Sequence, residues 1–96
     1  MSTINNIEYL NKLKKDGLFR FADPLFEDAA YYVFSVGVCS HLMIQKQFSI
    51  GYSRAMKLVK MLSKAKIICK DNGRFPYVAC ADKAALEDIL RVLTLN

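Results

Sequence analysis

Residues Ser40–Ala65, SHLMIQKQFSIGYSRAMKLVKMLSKA, decide how the chain folds. Ser40 is a side chain that can accept from the free N–H groups of a first helical turn, and Leu42 to Phe48 supply about two turns of helix behind it. Ser49-Ile50-Gly51 interrupts the pattern. From Tyr52 onward there is no Pro or Gly until the helix is spent, and Ala55, Leu58, Val59, Leu62 and Ala65 keep a 3.6-residue period. Two helices joined by a turn of about three or four residues make a helix-turn-helix.

The flanks extend that unit in both directions. Downstream, Ile67-Ile68-Cys69 and Tyr77-Val78-Ala79-Cys80 are β-prone runs separated by a loop holding Asn72-Gly73, a step that supplies the positive φ values of a tight hairpin. A hairpin directly after a helix-turn-helix is a wing. Upstream, Asp23-Pro24 starts a helix: the carboxylate can accept from first-turn amides, Pro needs no donor there, and Glu27 and Asp28 favour the positive end of the dipole. Leu25, Phe26, Ala29, Ala30, Val33 and Val36 then recur at helical spacing until Gly37, and Val38-Cys39 is a short β-prone link. Between Thr3 and Lys15, the spacing of Ile4, Ile7, Leu10 and Lys14, with Leu13 beside it, predicts an amphipathic helix that Asp16-Gly17 stops. Asp82 is placed to cap a last helix striped by Leu86, Ile89, Leu90 and Leu93. The predicted fold is mainly α with a small β-hairpin: a winged helix-turn-helix with additional N-terminal and C-terminal helices. It is read as a single winged-helix domain over 1–96, with its core at 23–80 and flanking helices at about 3–15 and 83–95.

Composition narrows the class. Ninety-six residues hold one core, and 53% hydrophobic against 24% charged residues is too apolar for a disordered chain. No apolar run approaches the roughly 18 to 20 residues of a membrane span, and the first residues lack a signal-peptide core, so no membrane partner and a cytoplasmic location are expected. Cys39, Cys69 and Cys80 are odd in number and form no C-x-x-C pair, which predicts free thiols buried as small hydrophobes rather than a disulfide framework or zinc site.

The charge is uneven. The chain has 14 Lys and Arg against 9 acids. Between His41 and Phe75 stand Lys46, Arg54, Lys57, Lys60, Lys64, Lys66, Lys70 and Arg74 with Asp71 as the one acid, a net of +7 that leaves −2 for the remainder. On the predicted second helix, Ser53, Lys57, Lys60 and Lys64 fall opposite the apolar stripe, flanked by Arg54 and Met61. Lysines so aligned repel one another by a few tenths of a kcal/mol per neighbour unless a polyanion lies against them. A helix of this kind, second in a helix-turn-helix, suits the major groove, with its first residues at base edges and its flanks at phosphates. A bland solvated face accounts for the charge but not for its placement on that helix.

Other features have structural explanations. His41 is the one histidine and has no Cys, Asp or Glu at metal spacing, so it is assigned a surface or capping role. Tyr31, Tyr32, Met43, Met56 and Met61 read as packing, and Gly51 and Tyr52 as residues that set the turn. None of the four glycines opens a G-x-x-x-x-G-K-[ST] loop. The expectation is a non-enzyme with no catalytic residues, cofactor or metal.

These residues also resemble a known family. Asp23-Pro24-Leu25-Phe26-Glu27-Asp28-Ala29, then Gln45-Lys46-Gln47-Phe48-Ser49-Ile50-Gly51-Tyr52-Ser53-Arg54-Ala55, then Met61-Leu62 and Ile67-Ile68, resemble the gamma domain at the C-terminus of FtsK-type DNA translocases, whose pattern is D-P-L-F-x-x-A followed by Q-R-x-F-x-I-G-Y-N-R-A. The resemblance covers about residues 23 to 80 and excludes the flanking helices. It implies a winged helix that binds a short G-rich double-stranded motif orienting a motor, and that contacts a recombinase. Three reader positions depart from the family: Ser53 stands where it has Asn, Lys57 where it has Arg, and Lys60 where it has an acid. Tyr77 after Pro76 likewise replaces an Arg of the wing. Asn pairs with adenine, Arg with guanine and Glu with cytosine, whereas Ser is permissive and Lys a point donor, so the family's sequence preference is not carried over.

Two functions follow. The first is a double-stranded DNA-binding module, with Ser53, Arg54, Lys57 and Lys60 facing bases or phosphates, Lys46, Lys64 and Arg74 on phosphates, several copies on one duplex, and a nucleoid association. A translocase motor or a recombinase is its expected protein partner. The second is a protein-interaction winged helix that contacts such a recombinase or dimerises through the Leu86, Ile89, Leu90, Leu93 stripe.

Overall fold

The computed structural model describes residues 3–20, 23–71, 73 and 75–94. Among these, six helices and three short strands follow in the order α1 (Thr3–Lys14), α2 (Gly17–Arg20), α3 (Phe26–Val36), β1 (Val38–Cys39), α4 (His41–Phe48), α5 (Tyr52–Lys64), β2 (Ile68–Lys70), β3 (Tyr77–Ala79) and α6 (Lys83–Thr94). The architecture is a mainly helical winged helix-turn-helix with flanking helices, as the sequence predicts.

The predicted caps are partly in place. Ser40 Oγ accepts from Met43 N at 3.2 Å and opens α4, and Asp82 Oδ1 accepts from Ala85 N at 2.8 Å and opens α6. Gly37 closes α3 at φ 92°, a left-handed conformation that favours a residue without Cβ, and its carbonyl receives Ala79 N from the sheet. Asp23 does something else. Its Oδ1 accepts from Leu25 N at 2.9 Å and its carbonyl from Phe26 N, so Asp23-Pro24-Leu25-Phe26 is a turn before the helix rather than the cap of α3. The break between α4 and α5 is also made elsewhere than expected. Ser49 takes φ 53°, while Gly51 has an ordinary φ of −76° and open space where a Cβ would stand. The turn is therefore set at Ser49.

The predicted hairpin gains a third strand. β3 pairs antiparallel with both neighbours in the order β1-β3-β2, in a register that sets Val38 against Val78 on one side and Cys69 against Val78 on the other. The Asn72 half of the expected Asn-Gly turn lies outside the described residues. A second addition is α2, which Gly17 opens instead of ending the chain's first helix. It places Phe19 edge-on against Phe26, ring centroids 5.7 Å apart, inside the core.

One buried cluster joins all the helices. Phe26, Ala29, Ala30 and Val33 of α3, Ile44 of α4, and Ala55, Leu58, Val59, Met61 and Leu62 of α5 meet Leu86, Ile89, Leu90 and Leu93 of α6 and Leu10 and Leu13 of α1. The α6 stripe is thus covered by its own chain. Met61 is fully buried, in keeping with its reading as packing, and does not flank the lysines, because α2, α3, α4 and β2 together cover a wider arc of α5 than the apolar period implied. Val36 and Tyr31 are exposed on α3, and Ile7 borders an open groove of about 480 Å³ beside α6. Cys39 is buried, but Cys69 and Cys80 are exposed, correcting the expectation that all three pack inside. The wing has one covered face and short strands, so Cys69, which alternates with buried Ile68 in β2, and Cys80, just past β3, escape burial. Burial pushes the Cys39 thiol up to about 11, and partial burial followed by its hydrogen bond to Cys69 pushes Cys80 to about 11. Both keep their protons at neutral pH.

Candidate nucleic-acid interface

Helix α5 builds the site through its own periodicity. At 100° per residue, Ser53, Lys57, Lys60 and Lys64 fall within a strip about 60° wide, opposite Ala55, Leu58, Val59 and Leu62. All four strip residues are exposed and the four apolar ones buried. From Ser53 to Lys64 the ridge runs about 16 Å, comparable to the roughly 12 Å width of a major groove that a helix enters. Lys57 and Lys60 make no ion pair among the described residues. Gly51 precedes the helix and supplies no side-chain cap, so the first-turn N–H groups of α5 have no such acceptor.

The remaining candidates sit apart from this strip. Lys46 is exposed on α4. Arg74 lies outside the described residues, and the neighbouring Lys70 is exposed at the end of β2. Lys64 faces Asp16, with Nζ to Oδ2 at 3.3 Å.

Arg54 is held most firmly. It projects a quarter turn off the ridge toward the lead-in to α3, where its Nε donates to Asp23 Oδ2 at 2.7 Å and its Nη2 to Asp23 Oδ1 at 2.8 Å. The Asp23 carboxylate is 9% exposed and the Arg54 side chain 47%. The Arg54 hydrogen bonds hold Asp23 below its usual range against the opposing effect of burial, with help from the Leu25 amide and the field of Lys57. Arg54 thus fastens the start of the helix, and the acid beside it tempers the positive charge at Lys57.

Tyr52 projects a quarter turn off the ridge on the other flank. It is 58% exposed rather than packed into the turn, and its ring stands edge-on to His41, the first residue of α4, with centroids 5.1 Å apart. At the far end of the helix, Tyr9 Oη of α1 donates to the Lys64 carbonyl at 2.6 Å, and Lys66 Nζ lies 4.5 Å from the Tyr9 ring centre. Sequence reasoning found the ridge but missed Asp23, Asp16 and Tyr52. For Tyr52 the periodicity gave no warning, since it stands one heptad before Val59 at the edge of the apolar stripe. The carboxylate partners are 31 and 48 residues distant and leave no local trace.

Comparison with known proteins adds a decisive observation. The model of the family described as the Ftsk gamma domain matches residues 20–76, more than half the chain. The chain belongs to the FtsK gamma domain family. Curated relatives include the DNA translocase FtsK of Chlamydia pneumoniae, 37% identical over 54 residues, which are 56% of this chain and 7% of the relative. The DNA translocase FtsK of Streptococcus pyogenes serotype M1 is 39% identical over 54 residues, with the same coverage. That of Streptococcus agalactiae is 38% identical over 55 residues, 57% of this chain and 7% of the relative. This chain thus spans a small fraction of the length of the relatives it matches. No solved structure matches it. The gamma-domain match contains every candidate site residue, whereas α1 and α6 lie outside it.

Among the described residues no helix is long and apolar enough to cross a membrane, and no three His, Cys, Asp or Glu side chains are grouped so as to hold a metal.

Proposed function

We propose that the chain is a single winged-helix module that binds double-stranded DNA, with α5 in the major groove and the wing on the backbone. The observation that carries this reading is the outward ridge of Ser53, Lys57, Lys60 and Lys64 on the second helix of a helix-turn-helix in an FtsK gamma domain. Ser53, Lys57 and Lys60 face base edges or phosphates. Lys46, Lys64 and Arg74 bind phosphates, Lys64 by exchanging Asp16 for the duplex. Arg54 acts from behind by holding the helix start. The module works without catalytic or motor activity of its own and sits with the nucleoid, beside a translocase motor or a recombinase as protein partner. One such module covers only about 600 to 1,000 Å², so several copies on one duplex raise affinity by avidity.

The alternative of dimerisation through the C-terminal helix loses its surface, because Leu86, Ile89, Leu90 and Leu93 are buried in the chain's own core.

Counterion release supplies the test. With five to eight phosphates neutralised, log K for duplex falls against log salt with a slope of roughly −4 to −7. Lys57→Glu combined with Lys60→Glu collapses binding, while the melting temperature holds because both side chains are exposed. Salt-independent affinity, or a double variant that binds like the parent, refutes the proposal. Selection of duplexes from a random pool at physiological salt then reads the preference of the altered reader positions.

A further inference from the structure

Two tyrosines stand at the ends of α5, Tyr52 of the helix-turn-helix itself and Tyr9 of α1, and their hydroxyls differ. Tyr9 closes the C-terminal end by donating to the Lys64 carbonyl. Tyr52, the first residue of α5, is 58% exposed, and its hydroxyl has no hydrogen-bond partner among the described residues. Large aromatic side chains at such exposure are informative, because an amphipathic ring ordinarily buries its face and satisfies its polar tip. The Tyr52 ring is nevertheless held. His41 meets it edge-on at 5.1 Å and an interplanar angle of 82°, so the ring is oriented although its tip is free.

The place of this pair is specific. His41 and Tyr52 are the first residues of α4 and α5, the two helices of the motif. In a helix-turn-helix on DNA the second helix enters the groove by its N-terminal end while the first crosses the backbone. The Tyr52 ring stands against the first residue of α4, so in that docking geometry its exposed tip lies within reach of the strand that α4 crosses.

We infer that Tyr52 is a further DNA-contacting residue, its hydroxyl donating to a backbone phosphate at the groove edge, and that His41 is the positioning residue that holds its ring for that contact. This inference rests on the duplex-binding reading above. The contact is neutral, so it displaces no counterion, and phosphates are the same at every sequence. Its loss must weaken binding evenly and leave the salt dependence alone.

The experiment measures duplex affinity of the full chain on several short duplexes of different sequence, across a salt series, for the parent, Tyr52→Phe, His41→Ala, His41→Phe and the double variant Tyr52→Phe/His41→Ala. Tyr52→Phe, which keeps the ring and removes the hydroxyl, is expected to weaken binding about three- to tenfold on every duplex with an unchanged salt slope and melting temperature. His41→Ala weakens it comparably, His41→Phe restores it by returning a ring edge, and the double variant is no weaker than the worse single. Parental affinity for Tyr52→Phe, or a loss confined to one base-pair position, overturns the phosphate contact. Additive effects of the two residues, or failure of His41→Phe to restore, overturn the positioning role. If binding is lost in Lys57→Glu/Lys60→Glu but not in Tyr52→Phe, only this inference fails. If the parent does not bind duplex at all, the function fails with it.

Discussion

The two ends of α5 are fastened by different means. At the start, side chains do the work: Arg54 reaches one way to Asp23 and Tyr52 the other way to His41, both inside the segment that matches the family. At the finish, the backbone is served: Tyr9 satisfies the carbonyl of Lys64, and Lys66 adopts φ 63° to end the helix. That second fastening draws on α1, outside the matched segment. The leading end is thus built into the domain itself, and the trailing end is secured by an accessory.

The comparison is broken most severely at its middle. Leu58 is fully buried in α5 between the two ends, and Leu58→Ala is expected to cost about 2 to 5 kcal/mol through lost burial and an unfilled cavity. Urea unfolding followed by circular dichroism measures it, and both ends should loosen together. Next comes the start of the helix. Asp23→Asn removes the charge from a nearly buried carboxylate and leaves Arg54 with a neutral acceptor, so it destabilises the domain at neutral pH and weakens DNA binding by freeing the helix start. The sign of its pH dependence is fixed by the lowered folded value of Asp23. The stabilisation is fully present above the unfolded carboxyl value near about 4 and fades as pH falls through the folded one. Thermal melts of parent and variant should accordingly differ at pH 7 and converge in strong acid. The smallest effect belongs to the trailing end. Tyr9→Phe removes one exposed hydrogen bond, worth about 0.5 to 1 kcal/mol, and should leave duplex affinity unchanged. A binding defect in that variant would erase the distinction drawn between the two ends.

Local rules explain why much of this molecule was legible in its sequence. Ser40, Asp82 and Gly37 act through their own and neighbouring backbone groups, so caps and stops could be read directly. The lysine ridge was legible for a related reason: exposure on α5 follows from a repeat of 3.6, which the apolar residues advertise. What escaped reading depends on partners far along the chain. Asp23 looked like a helix cap because nothing nearby indicates Arg54, 31 positions later. Met61 looked like a flank because the width of a buried arc is set by how many elements pack against it. Cys69 and Cys80 carry strand propensity but not the information that a three-residue wing strand has little to lean on. Val38-Cys39 was legible as β-prone, but its pairing with β3, 40 residues on, was not.

The Asp23–Arg54 pair constrains engineering. A chimera that transplants residues 45–65 of this chain into another scaffold would import an arginine whose counterion stays behind. The graft would arrive with a loose leading turn and an unneutralised cation beside Lys57, and any change in its binding would be mistaken for a property of the exposed ridge. Moving the Asp-Pro turn along with the helix preserves the orientation from which any such comparison has to begin.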